Sequence, residues 1–156
     1  MKLTKTITVI AGIIGCLVII VSANQRRSPF LDREVKGRTE LSPDWVGITP
    51  RLPLKPCREY QMVVLGLASP FVGEFEAKAV RLPDGSKVTP EVELVDMNGN
   101  VFPLKYGGFR GRMNIYFSNF DRLPKDREYR RVRIRSERPI SCEKIFWSCY
   151  NSKDLQ

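Results

Sequence analysis

From Arg131 to Arg135 the chain reads Arg-Val-Arg-Ile-Arg, with Val132 and Ile134 alternating against three arginines. A repeat of two residues marks a strand with one face buried and the other in water. A helix would instead repeat its apolar positions every three or four residues. The pattern extends from Tyr129 to Ser136, Ser136-Glu137-Arg138-Pro139 supplies a turn, and Ile140 to Tyr150 continues as a second strand. Unbroken alternation in that second strand places Ile145, Trp147 and Cys149 on one face. Cys142, Lys144, Phe146 and Ser148 fall on the other.

The same logic carries upstream. Tyr60 to Leu67 is a nearly continuous apolar strand, the kind that sits in the middle of a sheet. Phe71 to Leu82 reads as one strand, and Pro83-Asp84-Gly85-Ser86 as a turn. Glu91 to Val95 and Val101 to Leu104 flank a hairpin at Asn98-Gly99. Tyr106 to Gly111 (YGGFRG) reads as a glycine-rich loop, followed by a strand with Met113, Ile115 and Phe117 facing the core. About eight short strands and no helical period predict an all-β domain over residues 57–156. Its expected architecture is an antiparallel β-sandwich, jelly-roll or immunoglobulin-like. Residues 24–56 carry Pro29, Pro43, Pro50, Pro53 and Pro56 with mixed charges, and read as a proline-rich linker. Within it, Trp45 between Leu41 and Val46 is expected to pack on the domain, with ligand stacking as the rival role.

Residues 1–23 form a hydrophobic leader. Lys2 and Lys5 provide a positive end, Ile7 to Val21 an apolar run broken only by Thr8, and Val21-Ser22-Ala23 the small residues of a cleavage site. Read this way it is a signal peptide. A retained membrane anchor, a lipidated form at Cys16 and a cytoplasm-facing orientation remain alternatives, the last because of Arg26, Arg27, Arg33, Lys36 and Arg38 beyond the run. The expected location is extracytoplasmic, secreted or anchored through the N-terminal segment.

Without the leader three cysteines remain, Cys57, Cys142 and Cys149. On one regular strand Cys142 and Cys149 stand roughly 24 Å apart, far beyond disulfide reach. Cys57 opens the first core strand and Cys149 ends the last, so a sheet pairing those strands antiparallel makes them the disulfide candidate. No metal site is expected, because histidine is absent and the cysteines are scattered. Asp96-Met97-Asn98-Gly99-Asn100 resembles the opening of a calcium loop, but Val101 and Gly107 occupy the places of its required glycine and glutamate. No cofactor is implied.

The chemistry points away from catalysis. The commonest general base is missing, and the pairs Glu74/Glu76 and Glu91/Glu93 sit two residues apart on solvated strand faces, where they balance arginines across the sheet. The formal charge is +9, and +7 once the leader's two lysines are removed, a balance that favours anionic partners. The candidate ligand-binding residues are Tyr106, Phe109, Arg110 and Arg112 in the glycine-rich segment and Arg131, Arg133 and Arg135 on the strand face. Aromatic faces stack on sugar rings, and guanidinium groups grip phosphate or sulfate bidentately. A rival reading makes the arginine face a solvated surface satisfied by opposing glutamates. Nucleic acid is disfavoured, since no aromatic platform interleaves the arginines. The sequence therefore predicts a non-catalytic binding module for an anionic glycan, lipid headgroup or other envelope or matrix component. The alternative is a membrane-anchored assembly or scaffold protein whose partner is a membrane or envelope protein.

Overall fold

The computed structural model describes residues 30–57, 60–74, 77–118, 123–124 and 126–150. The leader at residues 1–23 lies outside them. The described residues form twelve strands and no helix, and every strand pair is antiparallel.

The central strands are β4 (Tyr60–Leu67), β8 (Glu91–Asp96), β9 (Val101–Arg110), β10 (Asn114–Ser118), β11 (Tyr129–Arg135) and β12 (Ile140–Tyr150). Three more, β1 (Phe30–Lys36), β2 (Thr39–Leu41) and β3 (Val46–Ile48), come from the stretch expected to be a linker. Together they build one nine-stranded sheet, in the order β1-β12-β4-β10-β9-β8-β11-β3 with β2 also on β12. The linker reading is therefore corrected for residues 30–48. An edge strand is held largely by its backbone hydrogen bonds, so β1 carries Asp32, Arg33, Glu34 and Lys36 with no apolar alternation to betray it. β2 and β3 are three residues each, too short to show a period.

These three strands also close the sheet. β1 and β2 run along all of β12, from Phe30 opposite Tyr150 to Leu41 opposite Ile140. After four intervening residues β3 pairs with β11, and the Ser136 N–H donates to the Ser42 C=O at 2.9 Å on the way. One short segment thus pairs near both ends of the strand order, and the sheet becomes a nearly closed, barrel-like structure. Its inner face supplies a single core. Val63, Leu65, Ile115 and Phe117 meet Val92, Leu94, Val132, Ile134, Ile145 and Trp147 there, and a flat sheet could not bring these rows together.

β9 makes the corner. Val101–Leu104 pairs with β8, whereas Lys105–Arg110 pairs with β10, across a register slip between Tyr116 and Phe117. The expected loop at Tyr106–Gly111 is therefore mostly strand. Its glycines serve a bulge instead of a turn: a Cβ at Gly107 would stand 2.5 Å from the Tyr116 ring. A second slip, between Cys142 and Lys144, shifts the phase of β12. Ile140 and Cys142 consequently face the core together with Ile145 and Trp147, and the opposite-face placement of Cys142 is corrected. Burial pushes the Cys142 thiol up to about 12, which leaves it an inert packing group.

Cys57 and Cys149 are joined in a disulfide, with Cα atoms 5.7 Å apart, where β4 begins beside the end of β12. The neighbouring segment is fastened too: Leu54 and Tyr129 exchange two backbone hydrogen bonds, and Trp147 Nε1 donates to the Lys55 C=O at 3.2 Å. A separate three-stranded sheet, β5 (Val72–Glu74), β6 (Ala79–Arg81) and β7 (Lys87–Val88), follows β4. The single strand expected over Phe71–Leu82 is thus a hairpin, in which Lys78 takes a left-handed φ of 50°. Phe71, Val80 and Val88 from this region join the barrel core.

Candidate functional site

The alternation in β11 does what it should: Tyr129, Val132 and Ile134 are buried, and the arginines face outward. What surrounds each arginine then depends on register. Arg135 lies opposite Glu91 and Arg133 opposite Glu93 on β8, while Arg131 lies opposite Val95. Arg135 Nη2 donates to both Glu91 carboxylate oxygens, at 2.9 and 2.8 Å. Arg133 Nη1 stands 3.4 Å from Glu93 Oε2, an ion pair without the alignment of a hydrogen bond. Arg131 is exposed, and among the described residues it has no carboxylate partner.

On the other flank, β3 brings Trp45 and Gly47. The guanidinium carbons of Arg133 and Arg135 each lie 4.7 Å from the centre of the Trp45 ring. The stem of Arg131 runs beside Gly47, its Cδ 3.4 Å from where a Cβ would be. Trp45 is half-buried by these contacts, so packing and an aromatic platform coexist in one residue. Its place beside the arginines had no signal in the sequence, because nothing there pairs β3 with β11.

Arg127, at the foot of β11, belongs to the Asp96 turn. Its Nη1 stands 2.9 Å from Asp96 Oδ2, and its guanidinium lies over Phe102 at 5.4 Å. The buried Asp96 carboxylate also accepts from Asn98 and Asn100. The Asn100 side chain above all, then the two backbone N–H groups and Arg127, hold it below the usual carboxylate range against the opposing effect of burial. Asp96 thus caps the turn into β9.

The second group of candidate residues divides. Tyr106 packs edge-on against Phe117, with ring centres 5.9 Å apart, and lies half-buried against the core, where burial raises the pKa of its hydroxyl. Phe109 is 41% exposed and meets Phe71 edge-on at 6.2 Å. It rests on Gly73, where a Cβ would lie 2.1 Å from the ring. These residues, with Val72, Leu82 and Pro83, line an open groove of about 670 Å³ that Arg81 and Arg112 flank. Arg81 is held by Glu74, at 2.9 and 2.6 Å, and by the Gly85 C=O. Lys87 first, and Arg81 with it, keeps the Glu74 carboxyl below its usual range. Arg112 is exposed and its guanidinium has no carboxylate partner among the described residues; Arg110 lies exposed at the end of β9.

The seven candidates therefore do not form one surface. Arg131, Arg133 and Arg135 gather with Trp45 between β3 and β8, whereas Phe109 and Arg112 gather with Phe71 beyond the end of β4. Glu91 and Glu93 balance arginines, as the sequence pattern suggested, and among the described residues no three metal-ligating side chains cluster. No protein-family model, curated protein or solved structure matches the chain.

Proposed function

We propose that the domain is a non-catalytic binding module of an extracytoplasmic compartment, and that its acceptor is an anionic group of an envelope or matrix component, on a glycan or a lipid headgroup. The observation that carries the reading is the unevenness of the arginine face. Arg131 has no carboxylate partner among the described residues, Arg133 is only loosely paired, and Trp45 offers a ring beside them. Arg135, fixed by Glu91, braces the ring and contributes least to capture. Guanidinium donors next to an aromatic face suit a sulfated or phosphorylated sugar or headgroup. The disulfide supports an oxidising compartment, secreted or anchored at a membrane by the N-terminal segment.

The test is binding of the full chain to a sulfated polysaccharide and, separately, to phosphatidylglycerol vesicles, over a range of salt. Affinity should fall steeply with salt, and replacing Arg131, Arg133 and Arg135 by glutamine should flatten that dependence. Preference between the two probes distinguishes glycan from lipid. Replacing Lys36, Arg38 and Arg51 removes the same formal charge, and an equal loss there overturns the reading. A second reading, a protein-binding assembly module, is favoured by the groove at Phe109.

A further inference from the structure

We infer that the Phe109 groove is a docking site for an extended segment of a partner protein, one that carries an apolar side chain beside a carboxylate. The inference deepens the second reading above and is independent of the arginine face. Two of the large apolar side chains exposed among the described residues, Val72 at 66% and Phe109 at 41%, stand on this one groove. Together with Phe71, Leu82 and Pro83 they give the groove a lining more apolar than polar, able to take an apolar side chain. The arrangement is built: Gly73 lacks the Cβ that would collide with the Phe109 ring, Phe71 buttresses it edge-on, and the Phe71 N–H is fixed to the Arg112 C=O at 2.9 Å.

Charge selects the occupant. Arg81 is held by Glu74, which Lys87 shares, but Arg112 stands on the rim with no carboxylate partner among the described residues. An apolar trough with one spare guanidinium is complementary to an apolar residue flanked by aspartate or glutamate. It is a poor receptor for a neutral sugar. Pro70, Val72, Leu82 and Pro83 supply apolar walls, and hydroxyl groups brought against them would lose water without gaining partners. The groove opens to the surface, so a segment can enter it without the domain rearranging.

Three pools of synthetic octapeptides, each with Leu or Phe at the centre and flanked by acidic residues, serines or lysines, provide the test. They are titrated into the full chain while the amide signals of Gly73, Phe109, Gly111 and Arg112 are followed. The acid-flanked pool should shift these signals and bind roughly tenfold more tightly than the lysine-flanked pool, the scale of one charge-assisted contact. Arg112→Glu, on an exposed side chain, should invert that order, and Phe109→Ala should abolish the shifts. Arg131→Gln with Arg133→Gln should leave peptide binding unchanged. Equal binding of the acidic and basic pools, no shift with any pool, or a larger shift with a sulfated disaccharide overturns the inference. Loss of peptide binding in the Arg131/Arg133 variant also overturns it, because net charge alone would then be at work.

Discussion

The arginine face and the Phe109 groove both set arginines beside an aromatic ring, and they differ in what lies next to each cation. On β11, cross-strand register sets Arg133 and Arg135 against Glu93 and Glu91 and folds both over Trp45, leaving Arg131 as the spare charge. At the groove, Arg81 and Lys87 share Glu74, and Arg112, with no carboxylate partner among the described residues, stands above an apolar floor. Counting cations would rank the β11 face far higher. Register shows that each region presents a smaller free charge than its composition suggests, over very different ground: a flat aromatic–guanidinium stack in one, a trough in the other.

The largest perturbation tests whether the two regions belong to one cooperative unit. Replacing Cys57 and Cys149 by serine removes a cross-link spanning 92 residues and should cost about 2–5 kcal/mol in chemical denaturation. The amide signals of Arg133 and Phe109 should disappear at one shared midpoint. Two separate midpoints would show that the regions unfold independently.

A pair of glycine substitutions then sets one region against the other. Gly73→Ala drives a methyl group into the Phe109 ring and should destabilise by about 1–3 kcal/mol, with a large shift of the Phe109 ring signals. Gly47→Ala meets only the flexible stem of Arg131 and should stay within roughly 0.5 kcal/mol of the parent. Similar losses at both positions would erase the distinction between a seated ring and a sliding side chain.

The smallest effect is expected in acid. Asp96 near the foot of β11 and Glu74 beside the groove both have folded-state values below the ordinary carboxylate range. Each therefore stabilises the fold above its unfolded value, near 4, and loses that contribution as pH falls through the lower folded value. Melting temperatures between roughly pH 5 and pH 2 should show a flatter acid limb for Asp96→Asn than for the parent. Glu74→Gln should flatten it less, since Glu74 is 24% exposed against 2% for Asp96. An unchanged limb in Asp96→Asn would show that the Asn100 and Arg127 contacts do not favour the ionised form.

How much of this was legible follows from which residues face the core. β11 could be read because Val132 and Ile134 are buried and their neighbours are not, so strand geometry is written into the alternation. The last strand was visible too, but the extra residue near Glu143 shifts its phase, and no residue type announces such a bulge. The glycines at 107 and 108 carried an ambiguous signal, since the freedom that makes a turn also makes a bulge. Residues 30–48 were hidden for a different reason: an edge strand is held by backbone hydrogen bonds, and its exposed charges resemble those of a linker. The split of the candidate site was beyond reach because it depends on strand order: β11 lies beside β8, whereas the Lys105–Arg110 half of β9 lies beside β10, and pairings between residues far apart in the chain leave no local trace.

The pairing of the first strand with the last has a consequence for how the domain can be built into larger proteins. Phe30 and Tyr150 are register partners, so the described domain begins and ends on neighbouring strands, with Cα atoms roughly 5 Å apart. A domain whose entry and exit coincide can be spliced into a surface loop of a host without prising that loop open. By the same geometry a few residues could bridge the ends while new ones are opened in the exposed turn at residues 97–100, giving a circular permutant in which the closing strand follows β12 directly.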